Sequence, residues 1–166
     1  MIKIVSGNLL DAKVDALVNT VNTVGVMGKG LALQFKKAFP ANCKAYEAAA
    51  KLGTVEIGTM FVFETGGIVL PRYIVNFPTK RHWRSPSQLE YIDLGLRDLV
   101  KVIRERKIRS IAIPPLGAGL GGLGWGDVRP LIEHALADVA EVEIFVFEPN
   151  GAPAPEAMRN ETPSQR

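Results

Sequence analysis

Between residues 110 and 126 the chain runs Ser-Ile-Ala-Ile, then Pro114-Pro115, then a loop rich in glycine. Six of the ten residues from Gly117 to Gly126 are glycine. No other stretch limits the possible folds as tightly. Ser110–Ile113 has the apolar run of a buried strand, and a helical pattern begins after the glycines. In an open α/β sheet, ligands sit outside the carboxyl ends of the strands, where such a loop lies. Glycine lets backbone N–H groups approach and surround anionic oxygens without Cβ interference. The following helix N-terminus adds favourable potential for an anion. The plain alternative is a flexible connector, which has no need of so many glycines beside a core strand. The loop is not a Walker A motif, because no Lys-Ser or Lys-Thr follows it. It does not occupy the first strand–helix turn, as a Rossmann fingerprint would.

A second glycine loop, Gly25-Val-Met-Gly-Lys-Gly-Leu-Ala32, also joins a strand-like segment to a helix. Asn19-Thr20-Val21-Asn22 precedes it. Side-chain amides offer both donor and acceptor to sugar hydroxyls, although each Asn also reads as a simple turn residue. Two anion-competent loops beside such amides suit a diphosphate flanked by riboses.

The remaining pattern alternates strand and helix. Ile2–Val5, Ala16–Asn19, Thr59–Phe63, Tyr73–Phe77 and Glu143–Phe147 read as further strands, with Gly66-Gly67 as a hairpin-like turn. Gly30–Ala38 and Ala41–Leu52 read as helices parted by Pro40. Leu89, Ile92, Leu96, Leu99, Val100 and Ile103 fall on one face of a helix over about Ser87–Lys107. Ser87 and Glu90 have capping-box spacing. Asp127 is expected to cap a helix running to about Ala140. The class is α/β with a mixed or mostly parallel sheet.

Composition narrows the function. The 166 residues are 47% hydrophobic and 22% charged, as for one globular domain rather than a disordered chain. One cysteine, Cys43, excludes an intrachain disulfide and any multi-cysteine metal site. It reads as buried and inert. With two histidines, His82 and His134, a His-rich metal centre is not expected, so the metal and cofactor expectation is none. No membrane span is expected, because no uninterrupted apolar run reaches about 18 residues. Met1–Val5 reads as strand rather than signal peptide, so a reducing, cytoplasmic location is expected. The net charge of +3 hints at an anionic partner. Position says more: Arg72 to Arg84 holds Arg72, Lys80, Arg81, His82 and Arg84, with Trp83 among them and no acid. A second basic group, Arg104 to Arg109, has the simpler role of complementing a helix C-terminus. Residues 1–150 are expected to form the domain. Residues 151–166, Pro-containing and without apolar periodicity, read as a linker or tail leading to a further C-terminal domain.

The sequence resembles a macrodomain, the ADP-ribose-binding fold. The resemblance is carried by Gly7-Asn8-Leu9-Leu10, Ala16-Leu-Val-Asn-Thr-Val-Asn22, Gly28-Lys-Gly-Leu-Ala32, Pro114-Pro-Leu-Gly-Ala-Gly-Leu-Gly-Gly-Leu123 and Phe147-Glu-Pro149. It spans about Met1 to Pro149. More narrowly, Gly28-Lys-Gly-Leu-Ala32 and Phe77-Pro-Thr-Lys-Arg-His-Trp-Arg84 are similar to the branch holding terminal ADP-ribose protein glycohydrolase and the DarG antitoxins. The resemblance implies a three-layer α/β/α fold with a mixed central sheet. It implies a monomeric hydrolase that removes ADP-ribose from thymidine bases of single-stranded DNA, reversing a DarT-type toxin that binds through the C-terminal domain. It assigns Asn8, Leu9, Thr20, Val21, Asn22, Gly28, Gly30, Leu31, Thr79, Gly117, Ala118, Gly119, Leu120 and Gly121 to ADP-ribose. Lys80 becomes the catalytic residue, and Arg81, His82, Trp83 and Arg84 the nucleic-acid contacts. The protein-directed relative has Gly-x-Gly-Leu-Asp in its late loop; here the acid's place is held by Gly121. A Lys–Asp pair therefore cannot operate unchanged, which favours the DNA-directed branch.

By residue type alone, Lys80 is a surface cation, a phosphate clamp, or an amine tuned for acid–base or nucleophilic work. No carboxylate pair of the usual glycosidase kind adjoins the glycine loops. The preferred role is protonation of, or a hydrogen bond to, the departing thymine oxygen. His82 is a second acid/base group or a DNA or solvent contact. Trp83 stacks on an unpaired base or covers the next helix. Trp125 reads as a packing residue. Two other readings share these residues: an ADP-ribose-binding module without hydrolysis, and a glycohydrolase acting on ADP-ribosylated protein.

Overall fold

A computed structural model describes residues 1–149; the expected tail at 151–166 lies outside them. Six strands form one sheet: β1 (Ile2–Val5), β2 (Ala16–Asn22), β3 (Phe61–Glu64), β4 (Tyr73–Lys80), β5 (Ser110–Ile113) and β6 (Glu143–Phe147). Their order is β1-β6-β5-β2-β4-β3. Among the described residues only the β3–β4 pair is antiparallel. The helices are α1 (Gly30–Ala38), α2 (Pro40–Lys51), α3 (Leu89–Glu105) and α4 (Trp125–Leu136).

Strand periodicity sorts the side chains into two layers. Ala16, Val18, Val75, Phe77, Ile111 and Ile113 form one buried cluster with Ile92, Leu96 and Leu99 of α3 and Val128, Ile132 and Leu136 of α4. On the opposite face Leu17, Ile74 and Ala112 pack with Phe35 of α1. Val21 and Met27 pack with Cys43, Tyr46 and Ala49 of α2. This is the three-layer α/β/α arrangement with a mixed sheet that the sequence led us to expect. The α3 layer lies close to β4: a Cβ on Gly95 would fall 2.3 Å from the Phe77 ring. No helix of the described residues is long and apolar enough to cross a membrane.

Several boundaries depart from expectation for local reasons. Strand β3 starts at Phe61 rather than Thr59, because the Met60 N–H donates to Asp98 Oδ2 of α3 at 2.7 Å instead of to a strand. β2 and β4 continue past Asn19 and Phe77 because they keep pairing, Thr20 with Phe77 and Asn22 with Lys80. Residues 65–72 connect β3 to β4, so Gly66-Gly67 sits in a longer loop than a tight hairpin turn. Ser87 does not cap α3. That helix starts at Leu89 behind Gln88, which makes no side-chain cap. The Ser87 hydroxyl instead donates to the Thr79 carbonyl, and its N–H donates to the Gly121 carbonyl at 2.9 Å. Asp127 is likewise not the cap of α4. Gly124 holds that position, and Asp127 lies inside the first turn, where its charge still complements the dipole. α4 stops at Leu136 and a 3-10 turn, Ala137–Val139, follows.

Candidate ADP-ribose site

Parallel neighbours β4, β2 and β5 end side by side, so three loops meet at one edge of the sheet. They enclose a cavity of about 660 Å³, within the usual range for a small-molecule site. From the β2 side come Thr20, Val21, Asn22, Val26, Gly28, Lys29, Gly30, Leu31 and Ala32. From the end of β4 come Thr79, Lys80, Trp83 and Arg84. After β5 come Pro114, Pro115, Gly117, Gly119, Leu120 and Gly121. Both glycine loops thus face one cavity.

The glycines are there for different reasons. Gly117 has φ +70°, and a Cβ on it would fall 2.8 Å from Leu123 Cδ1 and 3.0 Å from Ser87 Oγ. A Cβ on Gly121 would fall 2.5 Å from the Gly117 carbonyl oxygen. These two fold the loop onto itself. A Cβ on Gly119 would meet nothing within 4 Å. The packing of the loop thus makes no steric demand for glycine at Gly119.

Asn22 organises the first loop. Its Oδ1 accepts from the N–H groups of Val24, Gly25 and Val26 at 3.1, 3.1 and 3.3 Å. Its Nδ2 donates to the Val26 carbonyl at 2.8 Å, leaving one amide hydrogen for a ligand. The Tyr46 hydroxyl, buried on α2, lies 2.7 Å from the Asn22 carbonyl and 2.9 Å from its Oδ1. Burial raises the Tyr46 pKa, so the phenol stays a donor. Asn19 does not reach the cavity. Fully buried, it donates to Asn76 Oδ1 at 3.2 Å, and Asn76 exchanges hydrogen bonds with Asn42 of α2. Its side chain points to the α1–α2 layer because strand alternation carries it there with Leu17.

Lys80 is half-buried, and its Nζ donates to the Trp83 carbonyl at 3.0 Å. Burial, and secondarily repulsion from Lys29, draws its pKa below the ordinary lysine value. Lys29, Lys80 and Arg84 line the cavity and no Asp or Glu does. The acid-free character extends to Gly121. The Arg84 guanidinium lies over the Trp83 ring at 4.4 Å, and the His82 ring stacks on Trp83 at 5.2 Å between centroids. His82 Nδ1 accepts from the Arg84 N–H at 3.1 Å, which ties its ring to the turn. The Arg81 guanidinium turns instead to Tyr91 of α3.

Of the residues expected at the site, Asn8, Leu9, Ala118, Arg81 and His82 do not line this cavity. Asn8 Oδ1 accepts from the Leu10 N–H, and Leu9 is buried against the α1 layer. Ala118 packs against the α3–α4 core. Lys29, Val26, Ala32, Pro114 and Pro115 line the cavity without having been singled out. Lys29 was legible: it stands between two glycines at the start of a helix. Trp125 packs against the core, as its position suggested. Cys43 is buried, donates to Glu47 Oε1 at 3.0 Å and has its pKa pushed up to about 12, which leaves it unreactive.

A model of the Macro domain matches residues 18–132, from within β2 to within α4. The chain belongs to the macro domain family. Within the family its similarity is to DarG macrodomains. The macrodomain of Mycobacterium tuberculosis DarG superposes with a TM-score of 0.89 at 55% identity, covering 90% of this chain and 99% of that one. Thermosipho africanus DarTG in complex with ADP-ribose has a TM-score of 0.85 at 34% identity, covering 93% of this chain and 43% of that one. A Thermus aquaticus protein named DNA ADP-ribosyl glycohydrolase is 59% identical over 149 residues, 90% of this chain and 41% of its own length. This macrodomain chain thus spans about two fifths of the length of such relatives.

Proposed function

We propose that this macrodomain hydrolyses the N-glycosidic bond between ADP-ribose and thymidine bases of single-stranded DNA. The observation that carries the reading is the cavity itself. Two glycine loops offer backbone N–H groups, three cations line the walls, no acid does, and an aromatic ring stands at the rim. Such a site attracts a diphosphate and repels nothing on a nucleic-acid strand. The relatives named above supply the substrate class.

In this mechanism the diphosphate rests on the Gly117–Gly121 loop and the Gly28–Gly30 loop, with the distal ribose toward Asn22 and Lys80. Bond cleavage builds positive charge on the ribose anomeric carbon, as in other glycoside hydrolyses. A phosphate held nearby offsets that charge. Water adds to the anomeric carbon and gives up one proton, which restores the donor through solvent, and the departing thymine takes one. Lys80, a protonated amine with a lowered pKa, donates it or hydrogen-bonds the thymine oxygen. No carboxylate among the lining residues competes for either role. Trp83 and Arg84 receive the exposed strand at the rim, since single-strand sites combine aromatic platforms with cations. We place the protein in the cytoplasm as a monomer, with a DarT-type toxin as its partner.

The test is release of ADP-ribose from a modified oligonucleotide compared with a modified glutamate peptide. Turnover on DNA alone is expected. Retained binding without release would make the chain a reader of ADP-ribose, and turnover on peptide alone would make protein the substrate.

A further inference from the structure

The turn after β4 presents a second aromatic–cation pair that the cavity does not use. The Arg81 guanidinium lies 5.5 Å from the centre of the Tyr91 ring, and Arg81 Nε donates to the Tyr91 hydroxyl at 3.3 Å. Arg81 is exposed and Tyr91 is part-exposed, on the first turn of α3. The backbone beneath is fixed: the Arg81 carbonyl accepts from the Thr23 N–H at 3.2 Å and the Thr23 hydroxyl at 2.7 Å. Neither residue lines the ADP-ribose cavity. Arg81 and Arg84 are three residues apart, so their backbones lie at most about 11 Å from each other, the reach of three extended residues. From Thr65 to Leu89 the chain carries no acid. The Arg81–Tyr91 pair ties the turn to α3 and, with Arg81 exposed and Tyr91 part-exposed, remains open to a ligand.

We propose that Tyr91 and Arg81 form a subsite for the unpaired base next to the modified thymidine. The inference rests on reading single-stranded DNA as the substrate. The modified thymidine sits at the cavity mouth against Trp83 and Arg84. The strand then passes over the turn, and its neighbouring base stacks on the Tyr91–Arg81 pair while the guanidinium meets the linking phosphate. Ring and guanidinium planes accept any base, so the subsite recognises an unpaired neighbour rather than a particular letter. It also excludes duplex DNA, in which that base is already stacked and paired.

Steady-state turnover on three substrates tests this: an ADP-ribosylated thymidine mononucleotide, and oligonucleotides carrying the modified thymidine at the 5′ or the 3′ end. The wild-type protein should favour the oligonucleotide that extends over Tyr91, which identifies the strand polarity. Tyr91→Leu should raise KM for that oligonucleotide by roughly 5- to 150-fold, the range for loss of one base–aromatic stack, with kcat retained. Tyr91→Phe should stay near wild type, because it keeps the ring. Equal KM for Tyr91→Leu and wild type on that oligonucleotide would overturn the subsite, as would a wild type with no preference between the oligonucleotides and the mononucleotide. A wild type inactive on all three substrates would overturn the DNA reading itself.

Discussion

At the scale of single residues, the proposed function rests most on Lys80 and Gly119, for opposite reasons. In the proposed mechanism Lys80 acts where the base departs, while backbone groups hold the diphosphate. Lys80→Ala should therefore cut turnover by roughly 100- to 10,000-fold while ADP-ribose binding largely survives. Single-turnover cleavage and calorimetric binding measure the two effects. Wild-type cleavage by the variant would leave Lys80 a mere surface cation. Lys80→Arg should not restore the rate, because a guanidinium stays protonated and is a poor donor. The pH profile follows from the same chemistry. A proton donor works only while protonated, and burial and Lys29 lower the Lys80 pKa. The alkaline loss of kcat should thus begin below the ordinary lysine range, and Lys29→Gln should move it upward. An unmoved alkaline limb in that variant would break the link between the two lysines. Gly119 contributes only its lack of a side chain. Its Cβ direction is open, so Gly119→Glu should fold normally and abolish ADP-ribose binding, by filling the site with a carboxylate that repels the diphosphate. Unchanged affinity in the folded variant would move the diphosphate elsewhere.

At the scale of elements, the site depends on how tightly α3 and the late loop are drawn onto β4. Gly95 sits in mid-helix, where alanine is favoured by about 1 kcal/mol on propensity alone. Its Cβ would nevertheless enter the fully buried Phe77 ring. Gly95→Ala should therefore destabilise, by about 1–3 kcal/mol as overpacking does. Thermal unfolding should show a lower Tm; a rise would mean that α3 shifts freely off β4. Ser87 ties the end of β4 to the late loop through the Thr79 and Gly121 carbonyls. Its substitution by alanine leaves the buried Thr79 carbonyl without that donor, a cost of about 1–3 kcal/mol. These ties were not readable in advance. Ser87 with Glu90 has the spacing of a helix cap, and only packing shows the hydroxyl committed elsewhere. Asp127 is the same case, since local sequence cannot tell a cap from a first-turn acid three residues later.

At the scale of the whole molecule, charge is divided along the sheet. Lys29, Lys80 and Arg84 converge at the carboxyl end of the strands, whereas Arg106 is paired with Glu64 beside Tyr73, at the start of β4. Affinity for a modified oligonucleotide should fall with salt, and Arg84→Gln should reduce the slope of log K against log salt by about 0.7, one single-strand phosphate contact. Arg106→Gln should leave the slope as it is. Equal slopes for wild type and Arg84→Gln would remove Arg84 from the strand's path. The sequence by itself determined the alternation of apolar strands and amphipathic helices, and hence the layered class. It also determined that two glycine loops follow strands, because hydrophobic period and glycine content are local properties. Lys80 was legible locally only as a cation within an acid-free run, and its catalytic assignment came with the family resemblance. The tertiary structure decided what those pieces do together. Parallel pairing set β2 between β5 and β4, and so brought loops far apart in the chain to one cavity. Strand alternation and the packing of α2 turned Asn19 inward to Asn42 and Asn76, while Asn22, three residues on and also buried, lines the cavity and holds the loop. Which polar side chain faces a ligand and which faces the core depends on the neighbours that long-range pairing brings, and a linear pattern does not contain them.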